Sequence, residues 1–171
     1  MSLHFGTLFT IKAFCLYLAS LPNLKLTSPH LTMRPINHIV LHTTASNIKA
    51  TADSINRYHR KVLNWGSPGY HFIIERDGKV VDNWPIEKTS NGVKGHNHDS
   101  INISYIGGID AKGKPTDNRT KEQKQAMAEL VAKLTAKFPN AEVLGHRDFP
   151  NVAKACPCFD ARAWWATVKK C

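Results

Sequence analysis

The residues whose types and spacing carry the most chemistry are His146, Lys154 and Cys156. The histidine and the cysteine stand ten positions apart, with the lysine two residues before the cysteine. His146 follows the apolar pair Val143-Leu144 and Gly145, which reads as the end of a strand. Pro150 lies between the two residues and Pro157 follows the cysteine, so the connection cannot be regular helix and must loop back. An imidazole fixed at a strand end and a thiol returned by a stiff loop suit zinc. That ion takes nitrogen and sulfur ligands, and its catalytic sites use three protein ligands with water in the fourth position. The third ligand must come from elsewhere. His42 is the leading candidate, because it ends the run His38-Ile39-Val40-Leu41 in the same manner. Taken alone the pattern is suggestive only: the chain has nine histidines, more than a zinc site uses.

The elements that must position these residues follow from periodicity. Ile36 to Leu41 is β-branched and apolar and reads as a buried central strand, and His42-Thr43-Thr44-Ala45-Ser46 leaves it as a polar loop. Thr51 to Lys61 reads as an amphipathic helix with Ile55, Tyr58 and Val62 facing inward. Residues 70–75 and 79–83 flank Asp77-Gly78, a hairpin signal. Residues 85–100 are irregular and rich in Asn, Gly and His, and Ile101 to Ile106 resumes strand character before Gly107-Gly108. Thr120 and Gln123 form a capping box for a helix whose apolar stripe is Met127, Leu130, Val131, Leu134 and Phe138. Asp160 caps a last helix with Trp164, Trp165 and Val168, the tryptophans expected in the core. Interleaved strands and helices around a hairpin predict an α/β fold, a central mixed sheet flanked by helices. Both histidines would then lie past the C-terminal ends of strands, where such sheets build ligand sites.

Length and charge set bounds. A chain of 171 residues is one ordinary domain. Its net charge of +10 favours polyanions, whether nucleic acid, anionic lipid or cell-wall polymer. No nucleic-acid motif or regular aromatic platform supports specific nucleic-acid binding, and no apolar run of eighteen residues would span a bilayer. Three of the four cysteines, Cys156, Cys158 and Cys171, fall in the last sixteen residues and the fourth is Cys15. That layout is poor for a disulfide framework and better for a metal ligand with bystanders. Residues 1–32 are expected to be an extension outside the catalytic fold, either weakly signal-like or an early start, with the functional domain over 33–171.

From Ile36 to Trp165 the chain resembles the type 2 zinc-dependent N-acetylmuramoyl-L-alanine amidases, in particular the small bacteriophage lysozyme-type amidases, and more distantly the peptidoglycan recognition proteins. The matching pieces, in order, are His42-Thr43-Thr44-Ala45, Gly69-Tyr70-His71-Phe72-Ile73-Ile74 with Asp77-Gly78, Asn97-His98-Asp99-Ser100-Ile101, Gly107-Gly108-Ile109-Asp110, Gly145-His146 and Lys154-Ala155-Cys156-Pro157. The resemblance implies one zinc ion held by His42, His146 and Cys156, with Tyr70 and Lys154 assisting catalysis. It implies cleavage of the amide between the lactyl group of N-acetylmuramic acid and L-alanine in peptidoglycan. Cys158 stands where a serine is more usual and competes with Cys156 as ligand; Cys156 takes the role because it matches the motif position before proline. His71 is not assigned as a ligand, and His38 and His59 read as ordinary strand and helix residues.

The expected partner is therefore peptidoglycan, bound by a monomer. Some phage relatives also bind a polymerase; whether this chain does is not determinable from its sequence, which shows no such surface and has a different N-terminus. Location depends on residues 1–32: cytoplasmic until release to the wall, or exported if they act as a signal. The alternative function is a module that binds peptidoglycan without cutting it, and retention of both histidines and the thiol separates the two in favour of the enzyme.

Overall fold

In the computed structural model, residues 33–169 are described. The expectations for residues 1–32, and for Cys171, lie outside that range. Five strands form one sheet in the order β3-β2-β4-β1-β5. They are β1 (His38–Thr43), β2 (Phe72–Ile74), β3 (Val80–Asp82), β4 (Ser100–Tyr105) and β5 (Glu142–Gly145). β2, β4, β1 and β5 run parallel, and β3 joins β2 antiparallel through the expected hairpin at Asp77-Gly78. The sheet is mixed, as the alternation of elements predicts.

Side chains alternate across the central strands. Ile39, Leu41, Ile101, Ile103 and Tyr105 point to one face, where Met127, Val131 and Leu134 of α2 (Lys121–Lys137) and Ala161 of α3 (Ala161–Val168) cover them. Each such fully buried aliphatic side chain is worth roughly 1.5–3 kcal/mol relative to exposure. The capping box of Thr120 and Gln123 and the Asp160 cap both form. Trp164 and Trp165 pack against this cluster while only partly buried.

The opposite face carries the site. Ala52 and Ile55 of α1 (Ala52–Arg57) pack on Ile73 and Ile106, and Val40 and Leu144 meet Val93 and Phe149 from the loops. The helix expected to run to Lys61 changes after Arg57 into a π-helical turn over Tyr58–Val62, closed by the Leu63 N–H donating to the Tyr58 carbonyl at 3.1 Å. The wider turn alters which residues face the core. Tyr58 and Val62 are 50% and 65% exposed, against the inward orientation their spacing predicts, and His59 is buried. Residues 85–100 are irregular apart from one 3₁₀ turn, and the guanidinium of Arg34 straps them to the sheet by donating to the carbonyls of Ile86, His98 and Ser100. No helix among the described residues is long and apolar enough to cross a membrane.

Candidate metal centre

β1 is longer than its apolar run. His42 and Thr43 still pair with Ser104 and Tyr105 of β4, so His42 sits inside the strand's last turn of pleat and its ring is held by the sheet. His42 is 1% exposed, and its Nε2 lies 2.9 Å from Oδ1 of Asn102 on β4. His146 opens a 3₁₀ turn where β5 ends, next to β1. The loop then returns as proposed from its prolines: the Arg147 N–H donates to the Cys156 carbonyl at 2.8 Å, and the Tyr105 hydroxyl donates to the Pro157 carbonyl at 2.8 Å. These bonds bring the Cys156 sulfur to 3.7 Å from Nδ1 of His42, where the Thr43 N–H donates to it at 3.3 Å.

One ligand atom from each of His42, His146 and Cys156 lies within 4.8 Å of the others, and among the described residues this is the sole group of three such donors. A tetrahedral zinc ion with its usual bond lengths would set nitrogen and sulfur about 3.6 Å apart, close to the His42–Cys156 separation. Protonation states agree with a cation. Burial, reinforced by the charge of His146, lowers the His42 pKa to about 3, and burial followed by the Lys154 ammonium lowers that of His146 to about 4. Both rings are thus neutral and able to ligate at neutral pH. Burial pushes the Cys156 thiol up to about 12. A thiolate there is costly without a positive charge beside it, which is what a bound metal provides. The donor set fits zinc.

Around the centre, one pocket of about 250 Å³ is lined by His42, Tyr70, His146, Lys154 and Cys156 together with Trp65. The Tyr70 ring centroid is 5.3 Å from that of His42, and its hydroxyl reaches the Thr43 carbonyl at 3.5 Å. Burial, then the neighbouring Cys156, raises its pKa, so the phenol keeps its proton at neutral pH. Lys154 is exposed at the pocket mouth. Cys158 turns away and donates to the Gly108 carbonyl at 3.3 Å.

The chain matches the family model for N-acetylmuramoyl-L-alanine amidase over residues 32–159. The chain belongs to that family. It is 38% identical over 133 residues to the endolysin of Klebsiella phage KP32, covering 75% of this chain and 85% of that one. It is 40% identical over 111 residues to the endolysin of Escherichia phage T7, covering 65% and 72%. Among solved structures, the Ph2119 endolysin from the Thermus scotoductus MAT2119 bacteriophage superposes with a TM-score of 0.65 at 27% identity, covering 80% of this chain and 84% of its own.

Several residues of the site escape motif reasoning. Asn102, Ser90 and His71 are fully buried and hydrogen-bonded behind His42. His59 lies inside the pocket wall, its ring stacked on Trp65 at 4.9 Å, with Nδ1 accepting from the Gly69 N–H. The signal for Asn102 was present in Ser100-Ile101-Asn102-Ile103-Ser104, where polar residues alternate with apolar ones on a strand the sheet buries on both faces.

Proposed function

We propose that this enzyme hydrolyses the amide between the lactyl group of N-acetylmuramic acid and L-alanine in peptidoglycan, with one zinc ion held by His42, His146 and Cys156. The observation that carries the reading is the convergence of two neutral imidazoles and one thiol at the end of parallel strands, in a pocket shared with Tyr70 and Lys154. When bound there, zinc supplies a lowered pKa for water and polarisation of the scissile carbonyl.

The chain's own residues do the rest. Asn102 fixes the His42 ring through Nε2, and the Thr43 N–H steadies the Cys156 sulfur. Tyr70 holds a proton that it can donate toward the substrate carbonyl or the attacking water. The Lys154 ammonium gains most of its attraction as the carbonyl oxygen becomes negative, because the ground-state amide is neutral. The excess of 23 Lys and Arg over 13 Asp and Glu draws the protein toward anionic wall polymers.

The functional domain of this reading spans residues 33–171 and acts as a monomer, with the three ligands of its one site all inside that range. A module that only binds peptidoglycan has no use for three converging metal donors. The test is zinc content together with release of new amino termini from purified peptidoglycan. About one zinc per chain is expected, with activity lost on chelation and restored by zinc. Tight binding to peptidoglycan without release of amino termini from the zinc-loaded protein would give the binding module instead.

A further inference from the structure

We infer that His71, Ser90 and Asn102 form a buried relay of hydrogen bonds that sets the tautomer of His42, leaving its Nδ1 free to ligate. The inference rests on the metal reading above and assigns positioning residues behind the site, none of which touches substrate.

The direction of each bond follows from groups whose roles are fixed. Nδ1 of His71 lies 2.9 Å from the backbone N–H of Asn102, which can only donate, so Nδ1 carries no proton. The neutral ring therefore carries its proton on Nε2, which donates to the Lys88 carbonyl at 3.0 Å. Arg34 Nη2 also lies 3.2 Å from this nitrogen and donates to the Ser100 carbonyl at 2.7 Å. Because Nδ1 already accepts and the Lys88 carbonyl can only accept, Nε2 keeps the ring proton, and its approach to Nη2 is a contact between two donors. The Ser90 hydroxyl, 3.2 Å from Nδ1 of His71, points its proton there. Its oxygen then accepts from Nδ2 of Asn102 at 2.9 Å. The Asn102 amide is thereby oriented with Oδ1 toward His42, where it accepts from the Nε2–H at 2.9 Å.

A flipped amide would reverse the outcome. Nδ2 would face His42, Nε2 would have to accept, and the proton would move to Nδ1, the nitrogen that faces Cys156 at 3.7 Å. His71, Ser90 and Asn102 are all 0% exposed, so water is not at hand to satisfy a wrong orientation. Space is equally constrained. A Cβ at Gly92 would lie 2.2 Å from Cγ of Asn102, so glycine there is what lets the amide sit in place. Outer groups of this kind hold a metal-binding imidazole in one tautomer and raise its basicity, and losing them typically costs 10- to 100-fold in metal affinity.

The experiment uses the full chain and its Asn102→Leu, Asn102→Asp and Ser90→Ala variants. Zinc affinity is measured by competition with a chromophoric chelator, and the His42 tautomer is read from ¹H–¹⁵N long-range NMR of the metal-free proteins. Asn102→Leu is expected to lose about 10- to 100-fold in zinc affinity, with the Nδ1–H tautomer of His42 becoming populated. Asn102→Asp still accepts from Nε2 and should stay within about threefold of the parent, a rescue that a packing role would not give. Ser90→Ala, the smallest change, should shift the tautomer and weaken zinc by a lesser factor. If His42 keeps the Nε2–H tautomer and its zinc affinity in Ser90→Ala, and Leu and Asp at 102 weaken binding equally, the relay is refuted. Should Asn102→Leu fail to fold, Ser90→Ala decides alone. A parent chain that takes up no zinc would sink the metal reading, and the tautomer measurement would still judge the relay.

Discussion

Acidifying the metal-free chain puts the burial of its histidines to a direct test. In the unfolded chain an imidazole has its ordinary pKa of 6.5, whereas burial lowers His42 to about 3 and His71 to about 4 in the fold. Between pH 6.5 and those values the unfolded state binds protons that the folded state refuses, so acidification favours unfolding. From pH 7 to pH 5 the difference is about 2 kcal/mol for each such histidine, or about 4 kcal/mol for the two together. His146, lowered by burial and then by Lys154, acts in the same direction. A loss of that size is a large share of the 5–15 kcal/mol that usually separates folded from unfolded domains. Urea unfolding in the presence of chelator, followed by tryptophan fluorescence at pH 7, 6 and 5, reads it out. The zinc-loaded protein should hold its stability to lower pH, because His42 and His146 cannot take up protons until the metal leaves. A metal-free unfolding free energy that stays within about 1 kcal/mol from pH 7 to pH 5 would refute the reasoning.

Three further outcomes are expected. Lys154→Met should keep its zinc and its affinity for peptidoglycan while kcat falls roughly 10²-fold, the scale of one lost oxyanion donor; Tyr70→Phe should act in kind but more mildly. Full activity in Lys154→Met would return that side chain to the solvated surface. Cys156→Ser should lose most bound zinc by elemental analysis, whereas Cys158→Ser should retain metal and activity, and the reverse pattern would reassign the ligand. A chain starting at Met33 should unfold cooperatively and hydrolyse peptidoglycan like the full chain, and loss of its cooperative transition would show that residues 1–32 contribute to the fold.

Much of the frame was legible because its signals are local. Five β-branched or apolar runs, one Asp-Gly turn and the Thr120–Gln123 box lead to the sheet, the hairpin and α2. The inward placement of Tyr58 and Val62 failed because a π-helical turn is not a period that hydrophobic spacing announces; here the wider turn turns His59 inward beside Trp65 and Gly69. The three donors could be nominated from spacing and resemblance, but their convergence depends on β1 lying between β4 and β5. Asn102 and Ser90 were missed for a different reason. Each is an ordinary polar residue in sequence, and only burial with specific partners makes it part of the site.

The register of β1 has a kinetic consequence. This central strand pairs with β4, whose partner positions lie 62 residues on, from His38 to Ser100, and with β5, from His38 to Glu142. Pairings that close such long loops are slow to form, and the entropy of closing them is spent before the contacts repay it. During synthesis, no growing chain that stops short of Cys156 contains all three donors, and none that stops short of β5 can hold His146 beside His42. With the metal held as proposed, an activity that cuts a structural polymer is withheld from every copy in which Cys156 has not been made and β1 has not paired with β5.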